Sequence, residues 1–330
     1  MTLELNLPHI CIVDIPRELN SQRDGGANPA AITLVIPAAA DIHIDALDSV
    51  RRQTRPLDVL VEVGRNPSAN RNRGANRAET PFIAFTNAHT VLREDWTERA
   101  EQFFIQHPQV DIVGGPQLNY AGDPYFARLS GDALSSPFCT GGMSRRYQPT
   151  ALNLTADEIS VTSANLVCRR RVFERVQFDE TLYPGEDPKF VTDAIRAGFK
   201  LACSPELIVF NRRRATLGTL ARQIFNYGAA RMQKETLGEL LQHPEFFGPA
   251  VLTVYLLVLP LLVAWNGWWL LPLALYALLA IGFALKRALE CRRWEYLLAL
   301  PPLFLWIHLA YGAGFLGSFF RGGFRRNSVA

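Results

Sequence analysis

An acidic pair in the middle of the chain has the residue types that a proton-transfer reaction needs. Glu186 and Asp187 follow a glycine and precede Pro188. An Asp-Pro pair favours a helix start, because the carboxylate can cap the first turn and proline suits the first helical position. A helix start is also a rigid place for a carboxylate that takes the proton of an attacking hydroxyl. The pair is therefore a candidate for proton transfer, and this interpretation is compatible with the simpler alternative that Asp187 only caps the helix.

Two cationic side chains, Arg71 and Arg73, lie in a short helix predicted over residues 70–79. Such cations can bind and neutralise a negatively charged ligand. The alternative is a solvated basic helix face that binds no ligand.

Three further polar residues follow predicted strands. Glu62 lies near the end of the strand predicted over 59–63, and Asn87 and His89 follow the strand predicted over 82–85. Because ligands bind beyond the carboxyl ends of parallel strands, we expect these side chains at one site. The alternative is that Asn87 and His89 only end a strand with polar turn residues.

The elements that must position these residues alternate between strands and helices. Predicted strands cover 31–36, 59–63, 82–85, 110–113, 201–203 and 207–210. Predicted helices cover 41–53, 70–79, 94–106, 166–176, 187–197 and 217–232, and residues 116–160 look irregular. This alternation predicts an α/β domain with a mixed, mostly parallel sheet and flanking helices. The sequence has no phosphate-binding GxxxxGK[ST] loop and no GxGxxG after a strand.

The C-terminal part is apolar enough for a membrane. No charged residue occurs between Glu245 and Lys286, or from Tyr296 to Phe320, and one bilayer span needs about 20 apolar residues. We predict spans over 247–265 and 268–285. Residues 303–320, after the break expected at Pro301-Pro302, form either a third span or a re-entrant or interfacial segment. His308 in that segment is either functional or a partner in a helix–helix hydrogen bond.

The charges divide along the chain. The C-terminal part, 246–330, carries a net charge of +5, whereas residues 1–245 carry −2. The basic excess therefore belongs to the membrane part, which argues against nucleic-acid binding. Basic residues after the second span favour the cytoplasmic side, together with the α/β domain. A third span would place the C-terminal arginines on the opposite side, and an interfacial segment would avoid that conflict.

Cysteine usage and the N-terminus suggest the compartment. The five cysteines form no CxxC pair, which favours a reducing environment over a disulfide framework or zinc site. Residues 1–30 lack the pattern of a secretory signal and are interpreted as a leader.

The order and spacing of the motifs resemble the family 2 glycosyltransferases of GT-A fold, and among them the membrane-linked subgroup typified by succinoglycan glucosyltransferases. The matching segments are Val35-Ile-Pro37, Glu62-Val-Gly64, Arg71-Asn-Arg-Gly74 with Ala78, Phe85-Thr-Asn-Ala-His89 with Trp96, Ser136-Pro-Phe138 with Gly141-Gly142, Arg169–Phe173, Phe178-Asp-Glu180, Gly185-Glu-Asp187 and Arg214–Arg231. The resemblance covers about residues 31–320. It implies a GT-A catalytic domain over 31–235 and a membrane anchor over 236–330.

The resemblance also implies roles for the first group of polar residues. Glu62 takes the place of the acid that contacts the nucleobase or ribose, and Arg71 and Arg73 lie where the donor diphosphate binds. Asn87 and His89 occupy the two acidic positions of the DxD metal motif. One amide oxygen and one imidazole are poorer ligands than two carboxylates for Mg²⁺ or Mn²⁺. Divalent metal affinity should therefore be weak, or Arg71 and Arg73 carry more of the charge neutralisation.

Further residues are assigned by the same resemblance. Gly141 and Gly142 would shape the acceptor side, unless they lie in a solvent loop. Arg222 and Gln223 would reach the donor diphosphate or a lipid phosphate. The alternative for such a basic helix is binding of anionic lipid headgroups.

The function implied is that of a membrane-anchored hexosyltransferase. A sugar would pass, with anomeric inversion, from a nucleotide-diphosphate sugar to a lipid-linked or polysaccharide acceptor at the cytoplasmic face of the inner membrane. Asp187 would be the base and Glu186 its neighbour or an acceptor contact. Two alternatives stay open: an inactive GT-A scaffold or binding subunit of a polysaccharide assembly, and a polyprenyl-phosphate glycosyltransferase. Proteins of polysaccharide assembly are expected partners, and nucleic acid is not.

Overall fold

The computed structural model describes residues 30–40, 42–182, 185–234 and 244–321. Nearly all of the predicted leader, the boundary predicted at 235–236 and the last arginines, Arg325 and Arg326, lie outside these ranges. The described residues form two compact units. The first comprises residues up to Gln117, Ala151–Leu182 and Glu186–Phe210, and the second comprises Leu118–Thr150, Gly185 and the residues from Asn211 onward.

A six-stranded mixed sheet forms the centre of the first unit. Its strands in spatial order are β2 (Asp58–Val63), β1 (Ile32–Ala38), β3 (Phe82–Thr86), β7 (Asn165–Arg169), β5 (Ile112–Gly114) and β8 (Leu201–Cys203). Strand β1 is parallel to β2 and β3, and β5 is parallel to β8, whereas β7 is antiparallel to both neighbours. The predicted mixed, mostly parallel α/β sheet is confirmed.

Ten α-helices are described. They are α1 (Asp45–Val50), α2 (Pro67–Arg77), α3 (Trp96–Gln106), α4 (Tyr125–Leu134), α5 (Pro137–Thr140), α6 (Glu186–Arg196), α7 (Leu217–Lys234), α8 (Gly248–Trp265), α9 (Leu271–Cys291) and α10 (Tyr296–Phe320).

Helices cover both faces of the large sheet. Successive side chains of a strand point to opposite faces, so neighbouring residues of β1 pack against different helices. Leu34 and Ile36 of β1 belong to a buried cluster with Trp96 of α3. Val35, between them, belongs to a second cluster with Ala75 of α2 and with α6. The first unit is therefore a three-layer α/β/α arrangement with an apolar core on each side of the sheet.

The helix predicted over residues 166–176 is wrong. Strand β7 and a short 3₁₀ turn, Arg170–Val172, occupy this stretch. Leu166, Val167 and Cys168 are fully buried, because β7 lies between β3 and β5 and is covered on both faces. A short apolar run of this kind does not reveal by its period whether it is a strand or a helix.

A small second sheet contains the strand predicted at 207–210. Its strands are β4 (Thr90–Leu92), β9 (Val209–Asn211) and β6 (Gln117–Asn119), in that spatial order. In the first unit the Arg93 amide donates to the Ile208 carbonyl at 3.3 Å, and the Val209 amide donates to the Pro116 carbonyl at 3.1 Å.

Helix α4 of the second unit lies inside the stretch 116–160 that the sequence predicts to be irregular. Its buried residues Leu129, Ala133 and Leu134 share a cluster with Leu300 and Phe304 of α10. This helix is stabilised by partners about 170 residues away in the chain, which its own short apolar pattern does not reveal.

Three helices, α8, α9 with the turn before it, and α10, are long and apolar enough to cross a membrane. The first two match the predicted spans, but α9 continues to Cys291, so Lys286 and Arg287 lie inside the helix rather than after it. Helix α10 begins at Tyr296, and the break expected at Pro301-Pro302 does not occur. Leu300 and Leu303, on both sides of the prolines, are buried and hold the helix in place.

Helix α10 is the centre of the second unit. In its most apolar stretch 44% of the residues are buried, against 6% and 11% in the other two helices. His308 contacts the Tyr276 hydroxyl through Nδ1 at 2.9 Å and the Phe138 carbonyl through Nε2 at 3.0 Å. Since a carbonyl only accepts, Nε2 donates and Nδ1 accepts from the hydroxyl. The predicted helix–helix hydrogen bond of His308 is therefore confirmed.

Candidate active site

The site begins with helix α2, which is anchored at its first turn and on β1. The Asn66 side chain caps the helix by accepting from the amides of Ser68 and Ala69 at 3.0 and 3.2 Å. Gly74 packs against Val35 so closely that a Cβ at this position would lie 2.4 Å from Val35 Cγ1. The motif glycine thus allows the backbone of α2, which carries Arg71, Arg73 and Arg77, to approach the strand closely.

Arg71 connects three predicted site residues. Its side chain is almost fully buried, at 4% exposure. Its Nη1 donates to Glu186 Oε1 at 3.0 Å and lies 3.8 Å from Asp187 Oδ1, and its Nη2 donates to Asn87 Oδ1 at 3.3 Å. The guanidinium carbon also lies 5.3 Å from the ring centre of Phe178. The alternative of a solvated basic face is therefore wrong for Arg71.

Glu62 is held by two arginines of α2. Its buried carboxylate accepts from Arg73 Nε at 3.1 Å and from Arg77 Nη1 at 2.9 Å. Arg73 also donates to Asn70 Oδ1 at 2.6 Å. Arg77 was missed by the sequence reasoning, although its position four residues after Arg73 places it on the same helix face.

The acidic pair opens helix α6. Gly185, just before the helix, has φ of 118°, which residues with a Cβ rarely adopt. Because α6 begins at Glu186, Asp187 lies in the first turn and is not the cap residue. Glu186 is buried against Arg71, whereas Asp187 is partly exposed and its Oδ1 is a buried atom without a hydrogen-bond partner.

The segment after β7 that contains Phe178 and Glu180 is hydrogen-bonded to helix α2 beside Arg71. Asn72 of α2 donates to the Phe178 carbonyl, accepts from the Phe178 amide and donates to Glu180 Oε1, each at 2.9 Å. Two of these bonds hold the backbone of Phe178, whose ring lies beside Arg71. The sequence places Asn72 and Glu180 in separate motifs, and the structure joins them.

Asn87 and His89 lie in the turn between β3 and β4. The Asn87 amide oxygen accepts from Arg71, so a metal would have to compete with a cation for it. Within the described ranges, no group of three His, Cys, Asp or Glu residues is arranged to hold a metal ion. The donors at this position thus fit a divalent metal poorly.

The neighbouring Asp95 has a structural role. Burial raises its pKa, but hydrogen bonds and charges from Arg93 and Arg99 outweigh this effect, so the pKa lies below its usual value. The next residue, Trp96, is fully buried and donates from Nε1 to Asn165 Oδ1 at 2.9 Å. This motif tryptophan ties α3 to β7.

The remaining predicted residues belong to the second unit. Gly141, with φ of 55°, and Gly142 open a 3₁₀ helix that continues to Tyr147. Arg222 is exposed on α7 and lines an open groove of about 560 Å³ between α7 and α10. Gln223 donates to the Tyr227 hydroxyl at 2.8 Å and accepts from Arg214 at 3.3 Å.

A mixed α/β sheet with Glu62 near the end of a parallel strand, a buried arginine on α2 and an acidic pair at the start of α6 defines a GT-A-like glycosyltransferase. The chain belongs to the glycosyl transferase family group 2, whose family model matches residues 82–316. Mannosyltransferase PcManGT from Pyrobaculum calidifontis, solved in complex with GDP-Man and Mn²⁺, is similar in fold, with a TM-score of 0.53, 14% identity and 92% of each chain covered.

Curated relatives match part of the chain. A pre-mycofactocin glycosyltransferase of Mycobacterium tuberculosis is 29% identical over 248 residues, which are 73% of this chain and 50% of its own length. The dolichyl N-acetyl-alpha-D-glucosaminyl phosphate 3-beta-D-2,3-diacetamido-2,3-dideoxy-beta-D-glucuronosyltransferase of Methanococcus voltae is 23% identical over 164 residues, covering 48% of this chain and 49% of its own. This chain spans about half the length of these relatives. The finer resemblance to succinoglycan glucosyltransferases stays a prediction.

Proposed function

We propose that this protein transfers a sugar from a nucleotide-diphosphate sugar to a hydroxyl of a lipid-linked or polysaccharide acceptor. The observation that carries this proposal is the cluster of Arg71, Asn87, Glu186 and Asp187, in which a buried cation faces an acidic pair and Asp187 Oδ1 accepts no hydrogen bond from the described residues. Family membership and the GT-A-like fold support it.

The donor side of the reaction requires charge stabilisation. As the bond between the anomeric carbon and the phosphate oxygen breaks, negative charge grows on the departing diphosphate, and a preorganised cation stabilises it. Arg71 is such a cation, and Glu62 with Arg73 and Arg77 forms the neighbouring surface for the nucleoside.

The acceptor side requires a base. In a single inverting displacement the acceptor oxygen attacks the anomeric carbon while its proton passes to a carboxylate. Asp187 suits this role, because its Oδ1 has no hydrogen-bond partner and its place in the first turn of α6 is rigid. Glu186 accepts a hydrogen bond from Arg71 and so holds the guanidinium beside Asp187, the proposed base.

A lipid-linked acceptor is supported by the groove between α7 and α10. Its walls include Phe225, Trp306 and Leu309, and Arg222 lies at its edge. An apolar groove beside a helix fit to cross a membrane suits a lipid tail, and a cation at its edge suits a phosphate headgroup. The Methanococcus voltae relative is likewise named for an acceptor sugar carried on dolichyl phosphate. We place the α/β unit at the cytoplasmic face of the inner membrane, in accord with the basic residues after α9.

Transfer assays on purified membranes test the proposal, with a panel of UDP-, GDP- and dTDP-sugars. We expect one donor to be consumed, and Asp187→Asn to reduce the rate by about 10²–10⁴-fold, the usual share of a general base. The control is Asp193→Asn on the same helix, whose carboxylate pairs with Lys189 and whose loss should leave the rate near wild type.

Two outcomes would favour the alternatives. If Asp187→Asn costs little, the acceptor is an ionised phosphate that needs no base, as in a polyprenyl-phosphate glycosyltransferase. If no donor binds, the domain is an inactive scaffold or binding subunit, and the enzymatic proposal is refuted.

A further inference from the structure

Arg71 lies between the altered metal motif and the acidic pair. Its guanidinium bridges Asn87, at the first position of the altered metal motif, and the pair Glu186 and Asp187. These partners are far apart in the chain, and they converge on one buried cation.

The polar groups around Arg71 already accept hydrogen bonds from it. The Asn87 amide oxygen and Glu186 Oε1 each accept a hydrogen bond from Arg71, at 3.3 and 3.0 Å. A divalent metal bound to either oxygen would therefore lie close to a fixed positive charge, which would repel it. Magnesium and manganese prefer anionic oxygen ligands, and Asn87 offers only a neutral one.

Arg71 has the properties that a permanent substitute for a metal requires. Arginine stays protonated throughout the physiological range and presents a planar set of donors that matches phosphate oxygens. The guanidinium lies beside the Phe178 ring, and Asn72 holds the backbone of Phe178. Its Nε is buried and has no hydrogen-bond partner, so one donor is unused within the protein.

We propose that Arg71 replaces the divalent metal of this site, binding the donor diphosphate and stabilising its charge as it departs, so that nucleotide binding does not depend on Mn²⁺ or Mg²⁺. The inference rests on the proposed function, because it presupposes a nucleotide-diphosphate donor. It assigns the diphosphate contact to one residue.

Calorimetric binding of UDP and GDP to the full-length protein in detergent tests the inference. For the nucleotide that binds, we expect affinities in EDTA and in Mn²⁺ to agree within about twofold. Arg71→Met should weaken binding by about tenfold or more, since hydrogen bonds to charged groups contribute about 1.5–3 kcal/mol. Arg175→Met is the matched control, because Arg175 also lies 5.3 Å from an aromatic ring but is exposed and outside the site.

Paramagnetic resonance of Mn²⁺ gives a second readout that does not depend on activity, and its wild-type arm does not depend on how well the Arg71 variant folds. Wild-type protein with bound nucleotide should hold no stoichiometric Mn²⁺, whereas Arg71→Met combined with Asn87→Asp should gain a Mn²⁺ site. Nucleotide binding that requires Mn²⁺, or a stoichiometric Mn²⁺ site in wild type, would overturn the inference and leave the glycosyltransferase proposal intact. If neither nucleotide binds in any condition, the proposed donor and this inference both fail.

Discussion

Replacing Gly74 by alanine should separate helix α2 from strand β1 and weaken nucleotide binding. An added Cβ would lie 2.4 and 2.9 Å from the two Cγ atoms of Val35, distances that force a shift. Val35 is fully buried in the sheet and cannot turn away freely. Helix α2 must therefore move, and Arg71, one turn earlier, moves with it.

The magnitude follows from two opposing effects. Overpacking of a core costs about 1–3 kcal/mol, and alanine in place of glycine inside a helix returns about 1 kcal/mol. The net destabilisation is up to about 2 kcal/mol, which corresponds to a fall in apparent Tm of about 2–8 °C for a domain of this size. Affinity for the donor nucleotide should fall several-fold in the same variant, because Arg71 is displaced.

Thermal unfolding in detergent, with nucleotide binding measured in parallel, checks this prediction. Gly218→Ala is the control, since that helical glycine has nothing within 4 Å of an added Cβ, and it should leave the Tm unchanged or raise it. Val35→Ala combined with Gly74→Ala should be more stable than the sum of the single effects by about 1–3 kcal/mol. The reasoning is refuted if Gly74→Ala behaves like Gly218→Ala, or if the two substitutions are additive.

Three further predictions concern stability in solution. Gly314→Ala should lower the apparent Tm, because its Cβ would lie 2.0 Å from the Phe225 carbonyl oxygen, whereas Gly317→Ala would contact only a ring edge at 3.9 Å; equal effects would contradict the close crossing of α7 and α10. Burial raises the pKa of the Cys203 thiol to about 11, so its contribution to stability is present below about pH 9 and is lost as the pH rises toward 11. In urea unfolding, Cys203→Ala should lose less free energy of unfolding than wild type as the pH rises above about 9. An identical pH profile of the two proteins would contradict this prediction. Because the pKa of Asp95 is lowered in the folded protein, its contribution to the free energy of unfolding is present above pH 3.8 and is lost as the pH falls through the folded-state pKa. Asp95→Asn should therefore lose less unfolding free energy than wild type at low pH. An unchanged pH dependence would argue against the ion pairs.

Strand and helix predictions were correct where the residue pattern within the segment itself defines the element. They were wrong where pairing or packing with a segment far away in the chain determines whether a strand or a helix forms. The strand at 59–63 ends in a glycine and is bounded on both sides, and it matches β2 closely. Residues 165–169 are apolar enough for either element, and pairing with β3 and β5 makes them a strand. Helix α4 was missed for the same reason, since its apolar face is covered by α10.

The candidate site shows the same division. Parallel strands bring Glu62 and Asn87 to one edge of the sheet, which the alternation of strands and helices predicts. The partners of each arginine were not predictable, because side-chain direction depends on how α2 docks. Arg73 turned out to hold Glu62 with Arg77, and Arg71 turned out to hold the acidic pair.

The sequence by itself determined that an α/β domain precedes apolar segments long enough to cross a membrane, because composition and hydrophobic period are local properties. It also determined the order of the motifs and the weakness of Asn87 and His89 as metal ligands, because ligand chemistry depends on residue type. Only the tertiary structure decided which of the polar residues meet at the site. The close contact of Gly74 with Val35 orients α2 so that Arg71 meets Glu186, 115 residues away, and a contact between such distant residues exists only once the sheet has formed.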